Sequence, residues 1–288
     1  MTKVLVNTYA GEKEMYIDGY LKSNLDALIR LVDKKWDGIG FVCGYEGDGK
    51  TTIAKQICAY LDPTFCLDRV VFEPKDFLSI CMSATKKQAI LFDESYLTFN
   101  TRSWSKKITN MIISALTMIR KKQLYIIIVA PTFFDIQKYI AIHRSRFLIH
   151  VYADGETRGF FRFFNRIKKH NLYISGKKWD NMYSVKPNFT GRFTNFSPLN
   201  EIEYENKKSK SFEQFKIDSF DNDPNRKGEP KKRHFHLMEF VNYCASNNEF
   251  RVGALKRLSE KYFGVNQRTL FVWRTECMNE MRRKGRNS

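Results

Sequence analysis

The sequence predicts an α/β protein: a mainly parallel sheet flanked by helices, followed by a small all-α C-terminal domain. Three observations predict it. Residues 44–51 are a Gly-rich loop set between an apolar run and a helical pattern. The runs Ala89–Phe92 and Leu124–Ala130 are apolar at every position, as strands buried on both faces are. Past a breaker-rich stretch, residues 236–274 return to helical spacing alone.

Leu21, Leu25, Leu28 and Val32 fall on one side of a predicted helix over 20–32. Trp36-Asp37-Gly38 is a turn signal, and Ile39–Cys43 has strand character. After the loop, Ile53, Ile57 and Tyr60/Leu61 share a helical face. Strand, loop, helix is the order that a phosphate-binding loop requires.

The loop itself reads Gly44-Tyr45-Glu46-Gly47-Asp48-Gly49-Lys50-Thr51 and fits G-x-x-x-x-G-K-[ST] at every fixed position. Gly44, Gly47 and Gly49 let the backbone wrap tightly, so that the N–H groups of the loop, Asp48 included, turn toward phosphates. Lys50 supplies positive charge, Thr51 a hydroxyl for Mg²⁺, and Thr52 continues the site into the helix. The carboxylates of Glu46 and Asp48 are expected to point away from the anion.

Arg69–Phe72 is a short strand candidate, and residues 76–83 are predicted helical. Gln88–Glu94 then runs four apolar residues into two acids, the form of a Walker B strand. Asp93, at the strand's C-terminal end, is placed to hold the Mg²⁺ shell. Glu94 is placed to orient and deprotonate an attacking water. A long helix is predicted over 106–122, and Leu124–Ala130 is the next strand. It ends in Pro131-Thr132, making Thr132 the candidate γ-phosphate sensor. Arg144 and Arg146 are candidate arginine fingers for a neighbouring subunit's nucleotide. They precede Phe147–Tyr152, an Asp154-Gly155 turn and Gly159–Phe164, which together predict a hairpin. His143 and His150 lack metal-spaced acidic partners and read as structural.

From 167 to 196 cations and rings alternate, which suits either a nucleic-acid strand or packing on the core; packing is the preferred reading. The domain expectation is 1–200 for the α/β domain, 201–233 for a charged linker and 234–288 for the C-terminal module. In that module Leu255 and Leu258, Gly264, Val265 and an Asn266 cap outline a helix-turn-helix. Gln267, Arg268, Thr269 and Arg274 are its candidate DNA-contacting residues.

The net charge of +18 favours polyanionic partners, DNA above all. Residues 223–288 hold 15 Lys/Arg against 7 Asp/Glu, so the C-terminal module shares the excess. Six cysteines show no C-x-x-C pair and read as reduced core thiols. No apolar stretch approaches the ~20 residues of a membrane span, and the N-terminus lacks a signal-peptide core. A cytoplasmic protein is expected, in the host cytoplasm if the source is viral.

On these motifs the first 200 or so residues resemble a P-loop NTPase, an ATPase of the additional-strand catalytic-glutamate class. Within that class the chain is most similar to the FtsK–HerA group, including the ATPase part of zonula-occludens-toxin-like phage proteins. The resemblance implies ATP and Mg as cofactors, DNA translocation or packaging, and a homo-oligomer, often a ring, in a phage or mobile element with phage or replication partner proteins. It carries over to Lys50, Thr51, Asp93 and Glu94. It departs at Thr132, where a glutamine is common, and in the membrane span that zonula-occludens-toxin-like proteins usually have. A helicase loader or terminase-type ATPase, and an ATP-gated DNA-binding regulator, are the alternative readings.

Overall fold

A computed structural model describes residues 2–93, 119–134, 136 and 138–221 of the chain. Two units divide it, Met1–Glu213 and Gln214–Ser288. Of the second unit only the end of one helix lies among the described residues. The predicted helix-turn-helix therefore lies outside them, as does most of the helix predicted over 106–122.

The first unit opens with a hairpin that the sequence reading did not anticipate, β1 (Thr2–Thr8) and β2 (Gly11–Ile17). Helix α1 (Gly19–Asp33) follows, with Asp18 accepting from the Tyr20 and Leu21 amides as its N-cap. Its buried residues are Leu21, Leu25, Leu28 and Val32, the face that the spacing predicts. Next come β3 (Gly38–Cys43), α2 (Lys50–Leu61), β4 (Val70–Val71), α3 (Pro74–Ser83), β5 (Ala89–Asp93) and β6 (Tyr125–Ala130). A π-helical turn (Tyr139–Arg144) leads to the hairpin β7 (Phe147–Asp154) and β8 (Thr157–Asn165), then α4 (Arg166–Gly176), β9 (Phe189–Arg192) and α5 (Glu201–Asp221).

Seven strands form one sheet in the order β4-β5-β6-β3-β7-β8-β9. The first five in that order run parallel, β8 pairs antiparallel with β7, and β9 pairs antiparallel with β8. β3, β5 and β6 are buried at every residue, which explains their unbroken apolar sequences. On one face Ile39, Phe41, Ile90, Phe92, Ile126 and Ile128 pack with Phe77 of α3 and with Leu172 and Tyr173 of α4. Gly38 and Gly40 alternate to the other face, where Leu28 of α1 approaches Gly38. A Cβ on Gly40 would stand 2.2 Å from the Phe147 ring, so β3 needs glycine there to pair with β7.

Two expectations change. Residues 201–221, read as the start of a linker, are helix α5, anchored by a buried Tyr204. Segment 167–196 divides: Tyr173 is buried and Phe189 stacks on Phe163 at 4.8 Å, while Trp179 and Tyr183 stand 75% and 69% exposed. Packing therefore describes only part of that segment. The described cysteines, Cys43, Cys58, Cys66 and Cys81, are free thiols. Burial pushes the Cys81 thiol up to about 12, which keeps it protonated and inert. No helix among the described residues is long and apolar enough to cross a membrane.

Candidate functional site

The loop after β3 turns at Gly44, where φ is +150° and a Cβ would meet the Val151 carbonyl oxygen at 2.3 Å. Gly49 sits at φ +96° and forms the N-cap of α2 without any side-chain cap. The first turn of α2 contains no acidic residue. Its leading N–H groups thus remain available to an anion at the positive end of the helix dipole.

They open on a cavity of about 740 Å³, lined by the loop from Glu46 to Thr52, by Asp93 and by Val129–Pro131. Lys50 is half-buried there, and its Nζ donates to the Tyr45 carbonyl at 2.7 Å. Burial pushes its pKa below the usual lysine value, against the opposing pull of Asp48 and Asp93. Such an ammonium gains from meeting a further anion.

The expectation that both loop carboxylates point away is half corrected. Glu46 is exposed, but Asp48 is buried and its Oδ2 accepts from the Tyr45 amide at 3.1 Å. Asp48 therefore braces the loop from inside. A short polar acceptor can satisfy an amide that the tight turn leaves unpaired.

Thr51 and Asp93 meet at the tips of α2 and β5, with Thr51 Oγ1 donating to Asp93 Oδ2 at 3.1 Å. Both are oxygen donors, the set that suits Mg²⁺. Among the described residues no cluster of three or more His, Cys, Asp or Glu could hold a metal alone. Glu94 lies outside the described residues, as do Gln267, Arg268, Thr269 and Arg274.

Residues absent from the sequence expectation complete the cavity. Arg158, Gly159, Phe193, Thr194, Asn195 and Lys208 also line it. Arg158 Nη2 stands 3.9 Å from where a Cβ on Gly47 would be. A signal for Arg158 existed in the hairpin. β7 runs parallel to β3, so the Asp154-Gly155 turn and the start of β8 must fall at the phosphate-loop end. Tyr204 of α5 is 1% exposed and its hydroxyl donates to Asp93 Oδ2. Burial and the Asp93 charge push the phenol pKa well up, so it keeps the proton it donates. No local pattern announces that contact.

The remaining expected residues go elsewhere. Thr132 is not among the cavity-lining residues; its hydroxyl donates to Asp180 Oδ1 at 3.0 Å and accepts from the Phe134 amide at 3.3 Å. Arg144 pairs with the buried Asp37 at 2.6 Å. Arg146 reaches the other Asp37 oxygen at 3.8 Å and lies 4.7 Å over Trp36. Asp37 precedes β3, so both arginines sit at the end of the sheet remote from the loop, where they clamp the fold. His150 is buried on β7, and desolvation with nearby Arg162 pushes it down to about 4, a neutral core residue.

No protein-family model and no curated protein sequence matches the chain. Solved structures do resemble it. The N-terminal domain of zonular occludens toxin from Neisseria meningitidis shares 14% identity at a TM-score of 0.38, covering 56% of this chain and 95% of that one. The cytoplasmic domain of the Type VII secretion ATPase EccC from Thermomonospora curvata shares 10% identity at a TM-score of 0.32, covering 57% of this chain and 25% of that one. The fold is α/β, a mostly parallel sheet with a phosphate-loop strand-turn-helix at its centre.

Proposed function

We propose that the chain is a Mg²⁺-dependent ATPase that acts on DNA as a translocating or packaging motor of a phage or mobile element. The observation that carries the nucleotide reading is the uncapped N-terminus of α2 opening, with Lys50 and the Thr51–Asp93 pair, on one cavity. The strand order adds support. β6 lies between the loop strand β3 and the acid-bearing strand β5, the inserted strand that names the additional-strand class.

In this reading the loop N–H groups and Lys50 hold the β- and γ-phosphates. When bound between Thr51 and Asp93, Mg²⁺ supplies Lewis-acid stabilisation of phosphoryl oxygens. Glu94 orients the attacking water and accepts its proton. Arg158 and Lys208 add positive charge at the cavity wall, where negative charge is held and redistributed. Homo-oligomerisation, as a ring, belongs to the same reading.

The DNA reading rests on charge and on an exposed aromatic surface. Residues 166–192 hold seven Lys/Arg and one Asp. Lys178 Nζ lies 4.9 Å over the Trp179 ring, and Arg162 lies 4.2 Å over Tyr183. Exposed rings with cations beside them suit base stacking and phosphate contact. The Thr132–Asp180 bond ties this loop to the end of β6, which gives Thr132 a coupling role.

Steady-state ATPase activity with and without single- and double-stranded DNA, across a salt series, tests the proposal. Hydrolysis that DNA stimulates, that salt weakens, and that Lys50→Ala and Glu94→Gln abolish is the expected result. Hydrolysis indifferent to both DNA forms would overturn the motor and favour a helicase loader or an ATP-gated regulator. Absence of hydrolysis under all conditions would overturn the enzyme reading.

A further inference from the structure

We infer that Tyr204 is a positioning residue for the metal-binding carboxylate of Asp93, and that through it helix α5 is fastened to the state of the metal site. The inference rests on the nucleotide reading above and names a residue that reading does not need.

The first turns of α5 are held by charged and polar groups, not by apolar packing alone. Lys55 of α2 is buried, and its Nζ meets Glu201 at 2.9 and 3.1 Å. The same ammonium lies 3.4 Å from the centroid of the Tyr204 ring. The ring also packs near Phe72, at 5.5 Å between centroids. One helical turn on, Lys207 Nζ donates to the Leu67 and Val70 carbonyls at 2.9 and 2.8 Å. These contacts fix the ring and aim its hydroxyl.

A phenylalanine would satisfy every ring contact just described. The hydroxyl therefore serves the hydrogen bond to Asp93 Oδ2. That oxygen already accepts from Thr51 Oγ1. Two donors occupy the two lone-pair directions of one carboxylate oxygen. Among the described residues Asp93 Oδ1 has no donor, so the pair of hydroxyls reserves Oδ1 for the metal and its water shell. An outer partner that orients a ligating carboxylate strengthens metal binding by holding it ready. Without the phenol, Asp93 can rotate and exchange its oxygens, and the readiness is lost.

The test is equilibrium titration of the full chain with a fluorescent ATP analogue, in EDTA and in Mg²⁺. The ratio of the two affinities reads the metal's contribution separately from turnover. Tyr204→Phe should reduce that ratio by about tenfold, the scale of one hydrogen bond to a charged group, with affinity in EDTA unchanged. Retained affinity in EDTA shows that the variant is folded. Lys50→Ala, which should lose affinity in both buffers, shows that the titration reads the phosphate loop. An unchanged ratio in Tyr204→Phe overturns the inference. A larger ratio also overturns it, because the hydroxyl would then be competing with the metal. Wild-type protein that gains nothing from Mg²⁺ would instead overturn the nucleotide reading on which the inference stands.

Discussion

Arg144 grips Asp37 at 2.6 Å, at the end of the sheet where β3 begins. Removing the arginine leaves a carboxylate that is only 4% exposed facing one long contact from Arg146. Arg144→Ala should cost about 3 kcal/mol, the scale for a broken buried pair, read as a fall in melting temperature. Nucleotide affinity at 25 °C should be unchanged. A variant that melts normally but no longer turns over would return Arg144 to the role of a finger.

Gly49 combines a left-handed φ with a close neighbour. A Cβ there would stand 3.1 Å from the Phe193 ring, in a conformation that side chains rarely adopt. Gly49→Ala should destabilise the loop by about 1–3 kcal/mol and lose most nucleotide affinity. Calorimetric titration of ATP into the variant checks it.

Arg158 and Lys208 bring charge to the cavity from β8 and α5. Replacing either with alanine should weaken ATP binding more than ADP binding, since the added charge on the triphosphate has most to lose. Side-by-side titrations of the two nucleotides give the discrimination. Equal losses for both would place these residues away from the terminal phosphate.

Lys169 is wholly buried and donates to the Ala141 and Ile142 carbonyls of the π-helical turn. Burial, with Arg166 nearby, pushes its pKa down to about 7. Between that value and the ordinary lysine value of 10.5 the unfolded chain holds a proton that the folded chain has released. This contribution to stability is therefore full above the ordinary value and declines as pH falls toward 7. Melting temperature should climb from pH 7 to pH 9 more steeply in wild type than in Lys169→Met.

Trp179 and Tyr183 offer stacking surface on a cationic loop. The double variant Trp179→Ala/Tyr183→Ala should bind a labelled single-stranded oligonucleotide at least about tenfold more weakly, given about 1–3 kcal/mol per stacked base. Fluorescence anisotropy at fixed salt measures it. Undiminished binding would shift the DNA contact to other parts of the chain.

The strands around the loop were legible because their burial is written into every residue: Ile39–Cys43 and Leu124–Ala130 leave no polar position to argue for an exposed face. The α1 face was legible for the same reason at a different period. The place of the arginines is in the sequence too, and it bears on this chain's own loop, not on a neighbouring subunit's nucleotide. In a parallel sheet, residues that precede a strand lie at the end opposite a loop that follows one. Arg144 and Arg146 precede β7, and that alone separates them from the phosphate loop. Tyr204 is a different case. It stands in a charged stretch with one ring every several residues, and its burial depends on Lys55 and Glu201 neutralising each other far apart in sequence. Pattern along the chain carries no trace of such a partner.

The cavity wall has a consequence for how the protein comes off the ribosome. Lys50 and Asp93 emerge early, but Arg158 follows only with the hairpin, Phe193 after β9 and Lys208 with the first turns of α5. A nascent chain thus carries the whole phosphate-loop motif through a long interval in which its pocket has one side. If the cavity takes a nucleotide, the ligand's full set of contacts exists only once α5 has begun to emerge.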